Sequence, residues 1–508
     1  MCFNKKDRAN RLSGFSSLEP VTSAGHLARA LSVLAAVSGF CLVTLAQALP
    51  DSVTAALAQA QIPLDAVSFM LADADGQSAP QLSHQPDAAM NPASVMKLVT
   101  TYAALDLLGP TYTWRTPVWL TGRLRAGVLK GDLVIQGLGD PTLVQQRLWL
   151  LLRRLQGLGL RRIDGDIVLD QQAFALPPSN PGDFDGEPLR PYNVAPDALL
   201  FNFKSVTMTL LPDLAARLAR VRYDVALAGV RLPASVPLSA AQDQPCGDYR
   251  AQLMADFTDP LHLRLAGSYP ASCGEKTWSI AYSDPASFNA RHLEALWRSI
   301  GGQLRGRVRY GAAPALAASF EQVSPTLLEV VRDINKFSNN VMAQQLFLSL
   351  ALPTQRTDAG LASAAPAAPV SREQAREVVQ RWWQQRISPQ DALLIDNGAG
   401  LSRQSRITAR GLLKLLQVAY ASPNMAELMS SLPIAGVDGT LRHSRATPGS
   451  AHLKTGSLRD VMAVAGYVHV AGGKRRCLVA IVNHANAPAA RPALDALLQW
   501  AVSDNAQP

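Results

Sequence analysis

The chain has 508 residues, 48% apolar and 17% charged, a balance that can fill a large core and excludes disordered and collagen-like classes. Its length predicts more than one domain. The formal charge is +9, without the Lys/Arg run of a nucleic-acid arm, and a mildly basic surface suits an anionic polymer as well as plain solvation. At the N-terminus Lys5, Lys6, Arg8 and Arg11 precede an apolar stretch over residues 30–43 and then Ala46-Gln47-Ala48. This order reads as a secretion signal cleaved near Ala48, which predicts a periplasmic protein. An uncleaved anchor is the alternative, but Ser32, Ser38 and Gly39 interrupt the stretch, which is short for a span. Bulky Phe40 before Cys41 argues against a lipoprotein.

Residues 65–73 read as a strand ended by Gly76. Residues 94–108 read as a helix, with Asn91 as N-cap, Pro92 in the first helical position and Gly109-Pro110 as the stop. From about Val118 the pattern turns to short β-like pieces at 128–136, 163–170, 202–211 and 221–232, separated by Gly, Pro and Asp. Helical texture returns near Asp284, with helices expected at 292–300, 325–336, 341–350, 371–385 and 409–420 around an Ala/Pro-rich loop at 357–370. Residues 461–470 and 475–483 read as a hairpin joined by Ala471-Gly472-Gly473, and 492–502 as a closing helix. The first strand, the hairpin and the closing helix suit one sheet with helices packed on it. The domains expected are the leader 1–48, a discontinuous catalytic domain over 49–117 and 284–508, and a mostly β insertion over 118–283. Beyond the leader the cysteines are Cys246, Cys273 and Cys477. The first two lie in one loop-rich region and suit a disulfide after export. Cys477, in an apolar run, reads as a buried strand residue. No CxxC, HExxH or Cys/His cluster occurs, so neither a metal nor another cofactor is expected.

Three motifs carry the chemistry. In Ser94-Val95-Met96-Lys97 the spacing of three puts hydroxyl and amine on one helical face, one turn apart, where an amine can take the hydroxyl proton. Ser94 in a first turn also keeps a backbone N–H free for an oxyanion. Of ten lysines only Lys97 has Ser three positions before it. Ser338-Asn339-Asn340 offers a hydroxyl to relay a proton and an amide to hold a carbonyl and a lysine. Its alternative role is helix capping. Ser287-Phe288-Asn289, Ser422-Pro423-Asn424 and Ser503-Asp504-Asn505 share the pattern, and Ser338 is preferred because Phe337 and two helices frame it. Lys454-Thr455-Gly456-Ser457 reads as a strand before the hairpin, able to line a cleft with Lys454, the Thr455 hydroxyl and a backbone N–H, while Gly456 lets a substrate come close.

S-x-x-K, S-D-N and K-T-G in this order form the set of penicillin-binding proteins and class A β-lactamases. The separation of 244 positions from Ser94 to Ser338 resembles that of the class C low-molecular-mass penicillin-binding proteins, the D-alanyl-D-alanine carboxypeptidase/endopeptidase family. Gly131-Asp132-Leu133, Gly139-Asp140-Pro141-Thr142-Leu143, Arg190-Pro191-Tyr192, Gly400-Leu401-Ser402-Arg403, Gly439-Thr440-Leu441 and Ala465-Gly466-Tyr467 are similar to that family too. Two departures are Asn339 for Asp and Asp396-Asn397-Gly398-Ala399 before Gly400. The resemblance implies an α/β (α+β) fold of the penicillin-binding/β-lactamase-like transpeptidase type, an antiparallel sheet with helices on both faces plus the large insertion. It implies that Ser94 attacks a D-Ala–D-Ala carbonyl of peptidoglycan stem peptides with Lys97 as base, and that Ser338 passes the proton to the leaving amine. Asn340 then positions the substrate amide, Lys454 and Thr455 hold the terminal carboxylate, and the N–H groups of Ser94 and Ser457 form the oxyanion hole. Arg403 is expected to add charge for a second carboxylate, and Asp170 and Phe174 to touch the stem. β-Lactams are expected inhibitors. A β-lactamase, or a wall-binding protein without catalysis, is the competing reading; the first lacks a recognisable deacylating Glu or Tyr, and the second predicts a lost catalytic group. Oligomeric state is left open.

Overall fold

The computed structural model describes residues 49–239, 245–352 and 368–503. The leader, most of the Ala/Pro-rich loop and the Asp504-Asn505 tail lie outside them. The central element is a five-stranded antiparallel sheet in the order Leu82–His84, Val67–Asp73, Arg475–Asn483, Val461–His469, Ala451–Leu458. Its register sets its two faces, because alternate residues point to opposite sides. Phe69, Leu71, Leu478, Ala480 and Val482 pack against helices Asp51–Gln59 and Arg491–Val502. Met70, Ala72, Ala463, Cys477, Val479 and Ile481 pack against helices Lys97–Leu108, Leu327–Phe337, Asn340–Ser349, Arg372–Arg386 and Ala409–Tyr420. A sheet covered on both faces needs near-continuous apolar strands, and Arg475–Asn483 is buried from Arg476 to Val482. Cys477 is such a residue, its thiol pushed well up by burial.

The middle segment forms a two-stranded antiparallel ribbon, Ala255–Asp256 with Arg264–Leu265, and three larger sheets. One is antiparallel, Ser235–Pro237, Leu218–Tyr223, Ser205–Asp213, Lys276–Ala281, and two are mixed. Expected strand 128–136 divides into Val128–Lys130 and Leu133–Gln136, and 163–170 into Arg162–Ile163 and Ile167–Asp170. Both break at a Gly/Asp turn, where Asp132 Oδ1 accepts Asp166 N at 2.7 Å and locks one break against the other. Expected strand 202–211 starts late, at Ser205, behind a turn with Phe203 at φ 53°; 221–232 ends early, at Tyr223, where Asp224 accepts Thr207 N. Helices Asp51–Gln59, Gln145–Gly157 and Met425–Ser431 were not expected.

Cys246 and Cys273 are joined by a disulfide. Helix Pro285–Ser299 starts at its N-cap Asp284 and sends Phe288, Leu293, Leu296 and Trp297 into the core of the middle segment, which also takes Phe320. For the inserted unit we therefore propose a boundary at strand Phe320–Thr326 rather than at residue 283.

Candidate active site

Asn91 caps the backbone, but one residue earlier than a regular helix would need. Its Oδ1 accepts Ala93 N at 2.9 Å, its Nδ2 donates to Ser402 O, and its peptide exchanges two hydrogen bonds with the Asn483 side chain. Residues Ala93–Met96 form a 3₁₀ turn, and the α-helix proper begins at Lys97. Ala93 sits at φ 47°, a left-handed backbone that costs a non-glycine residue about 1 kcal/mol or more. Two glycines hold it there. A Cβ on Gly400, itself at φ 75°, would lie 1.9 Å from Ala93 O, and one on Gly456 would lie 2.4 Å from Pro92 O. Gly456 thus makes room for the turn that carries Ser94. Gly400→Ala is expected to destabilise the fold by about 2–4 kcal/mol through overpacking and backbone strain, read as a lowered urea midpoint at unchanged m-value.

The Lys97 amine is fully buried. Its Nζ donates to Asn340 Oδ1 and Ala399 O, both at 2.6 Å, and lies 2.9 Å from Ser94 Oγ. No described carboxylate pairs with it. Burial first, and the charge of Lys454 second, hold its pKa well below the ordinary lysine value. Two of its three partners can only accept. A neutral amine has two N–H groups for them and one lone pair left, aimed at the Ser94 hydroxyl. That arrangement fits proton abstraction.

Ser338 ends helix Leu327–Phe337 in the left-handed region, φ 55°, and Asn339 is the N-cap of helix Asn340–Ser349, accepting Met342 N. The departure from Asp at the middle position is explained by this role, since Asn caps as well as Asp. The capping weighed as an alternative from the sequence falls to Asn339, which leaves the Ser338 and Asn340 side chains free to face the lysines. Lys454 Nζ, also fully buried, donates to Ser338 Oγ at 2.9 Å and to Thr455 O at 2.8 Å. Desolvation lowers its pKa to about 7. The second motif therefore links the two amines, Ser338 to Lys454 and Asn340 to Lys97.

Strand Ala451–Leu458 is the sheet edge. Leu453 N donates to Pro433 O on its outer side, so alternation turns the N–H groups of Thr455 and Ser457 outward as well. Lys454 and Gly456 are buried, while Thr455 is half-buried and Ser457 exposed. Ser94 N lies 3.1 Å from the Cβ position of Gly456, beside that edge. Thr440, to which no role was attached within Gly439-Thr440-Leu441, puts its Oγ1 2.7 Å from Thr455 Oγ1. Its loop is clamped to the second motif by the Lys336–Asp438 pair at 2.6 Å. The Ala399 carbonyl was also missed, because a backbone acceptor leaves no residue-type signal.

Other expectations do not join this network. Arg403 is paired with Asp460 at 2.5 Å and stacked on Phe184, so its charge is already partnered. Asp170 is buried and accepts from Gln136, Gln172 N and Ala313 N. Phe174 is a core residue against Gly139. Burial removes both from substrate contact.

The family model for D-Ala-D-Ala carboxypeptidase 3 (S13) matches residues 49–503. The chain belongs to the D-Ala-D-Ala carboxypeptidase 3 (S13) family. It is a serine-type peptidase by that membership. Curated relatives of this S13 enzyme include D-alanyl-D-alanine carboxypeptidase DacB of Haemophilus influenzae, 24% identical over 354 residues, 69% of this chain and 70% of that protein. The D-alanyl-D-alanine carboxypeptidase of Actinomadura sp. is 28% identical over 400 residues, 72% of this chain and 68% of that one. Among solved structures, penicillin binding protein 4 of Haemophilus influenzae superposes with a TM-score of 0.66 at 21% identity, covering 89% of this chain and 100% of that one. The same protein has been solved complexed with a β-lactam. The S13 fold, a helix-covered antiparallel sheet with a large insertion, is the one expected.

Proposed function

We propose that the chain hydrolyses D-Ala–D-Ala bonds of peptidoglycan stem peptides, and their cross-links, through an acyl-enzyme on Ser94. The observation that carries this reading is the buried Lys97 amine, held by two obligate acceptors with its remaining valence on Ser94 Oγ. Lys97 takes the Ser94 proton as Oγ bonds to the carbonyl carbon. The oxyanion is received by the N–H groups of Ser94 and Ser457, where one lost donor costs about 3–4 kcal/mol. Ser338, bonded to Lys454, delivers a proton to the leaving amine as the C–N bond breaks and takes one in turn from Lys97, so that Lys97 is neutral again and Lys454 keeps its charge. Asn340 Nδ2 donates to the substrate backbone. Lys454, Thr455 and Thr440 hold the terminal carboxylate. Water then hydrolyses the ester, with Lys97 again as base. β-Lactams mimic the substrate and acylate Ser94. The Cys246–Cys273 disulfide supports an exported, oxidising location, and no helix among the described residues is long and apolar enough to cross a membrane.

The test is incubation of the purified protein with benzylpenicillin and, separately, with sacculi. A single penicilloyl adduct on the peptide containing Ser94, together with release of D-Ala or cleaved cross-links by mass, is the expected result. Absence of any adduct on folded protein overturns the reading. Rapid turnover of penicillin would favour a β-lactamase instead.

A further inference from the structure

The four-stranded sheet Gln303–Leu304, Arg162–Ile163, Val128–Lys130, Arg123–Arg125 lies at the surface of the inserted unit. Its register aligns Leu124, Leu129, Ile163 and Leu304 in one cross-strand row, and that row belongs to the core of the unit. Alternation sends the flanking positions to the opposite face. These are Arg123, Arg125, Lys130, Arg162 and Arg305, beside Val128 and Gln303, with Asp164 as the one carboxylate, shared by Arg162 at 2.9 Å and Arg305 at 3.6 Å. Arg123, Arg125 and Lys130 are exposed and form no ion pair with a described carboxylate.

Elsewhere on the surface some arginines, such as Arg115, Arg220 and Arg410, have an acidic partner, and others, such as Arg222, Arg231 and Arg459, have none among the described residues; here the unpaired cations are gathered on one face of a single sheet. Arg123 also stands directly opposite Lys130 in the antiparallel pair. Like charges so placed destabilise a sheet by about 0.2–1 kcal/mol. The buried leucine row tolerates that cost without accounting for it, whereas an anionic partner removes it. The face has no groove-lining aromatic and no apolar wedge. It suits an extended polyanion held by charge.

We infer that this face is a docking surface for the carboxylate-bearing peptide stems of the cell-wall polymer, separate from the catalytic cleft. The inference rests on the proposed action on peptidoglycan. Five cations on one rigid face meet several carboxylates of a mesh at once. This raises the local concentration of scissile bonds at the cleft without any further contact there. A short soluble peptide gains nothing from it.

The test compares the full-length protein with Arg123→Glu/Lys130→Glu/Arg305→Glu and with the milder Arg123→Gln/Arg125→Gln/Lys130→Gln. Pelleting with purified sacculi on ice is measured across salt, since exposed charges are screened over about 10 Å at 0.1 M and about 3 Å at 1 M. Wild-type pelleting is expected to fall steeply with salt, and both variants to lose about tenfold in bound fraction at low salt, the reversal more than the neutral set. Hydrolysis of a soluble peptide ending in D-Ala-D-Ala should stay within about twofold, and penicillin labelling reports folding if the reversal is unstable. Undiminished pelleting of a folded variant overturns the inference. So does binding to phosphatidylglycerol vesicles with none to sacculi, which would assign the face to a membrane. Failure of the catalytic reading appears separately, as wild-type protein that pellets but cleaves no peptide.

Discussion

Ser94→Ala is expected to abolish covalent labelling by penicillin and to reduce peptide hydrolysis below detection, with Lys97→Met falling about 10²–10⁴-fold. The two residues act as one unit, because the hydroxyl is a nucleophile only while the amine can take its proton. The double variant should therefore lose no more than Ser94→Ala alone, a non-additivity that kinetic cycles measure directly. Neither loss should come from unfolding. Lys97 has no described carboxylate partner to strand, and methionine fills its fully buried channel with similar volume. Stability within about 1–2 kcal/mol of wild type, by urea titration, separates lost chemistry from lost fold. A Lys97→Met protein that still acylates at the wild-type rate would remove the amine from the mechanism.

Lys454→Met should separate stability from recognition even more clearly. The pKa of Lys454 is depressed from 10.5 to about 7 by burial, a penalty on the charged form on the order of 5 kcal/mol. The unfolded chain binds the proton more tightly than the folded one. The penalty is therefore full below about pH 7 and is relieved as pH rises towards 10.5, so wild-type stability should climb across that window. Methionine removes the penalty and leaves the Ser338 and Thr455 oxygens without a donor, at about 1 kcal/mol each. A net gain of about 2–3 kcal/mol near pH 6, crossing to a net loss above about pH 9, is expected from thermal melts. Activity should move the other way. Loss of a charge-assisted bond to the terminal carboxylate costs about 1.5–3 kcal/mol, or about 10–100-fold in kcat/KM, and should abolish the preference for a free acid over its C-terminal amide. In the wild type, kcat/KM for the free acid should decline above about pH 7 as Lys454 in the free enzyme loses its proton. An amide preference left intact in Lys454→Met would place carboxylate recognition elsewhere.

Several features were legible because they are local. The Ser94–Lys97 spacing, the span of helix Ala409–Tyr420, and the hairpin over residues 461–483 follow from periodicity and turn chemistry within about 20 residues. The left-handed residues Ala93 and Ser338 were not legible, since neither is glycine and each is held by contacts from distant segments. The ion pair of Arg403 was hidden for a related reason. A charged residue in the right neighbourhood says nothing of the partner that neutralises it, here Asp460.

The sequence by itself determined the elements, the three motifs and the chemistry their side chains can perform. It showed only a thin scatter of positive charge and no basic run. Tertiary structure alone decided that Ser94, Asn340 and Ala399 meet at Lys97, that Ser338 meets Lys454, and that cations from positions 123, 130, 162 and 305 share one sheet face. The physical reason is the same in each case. Strand register and helix docking are fixed by apolar burial between segments far apart in the chain, and each shift of one residue in register would turn those side chains to the other side.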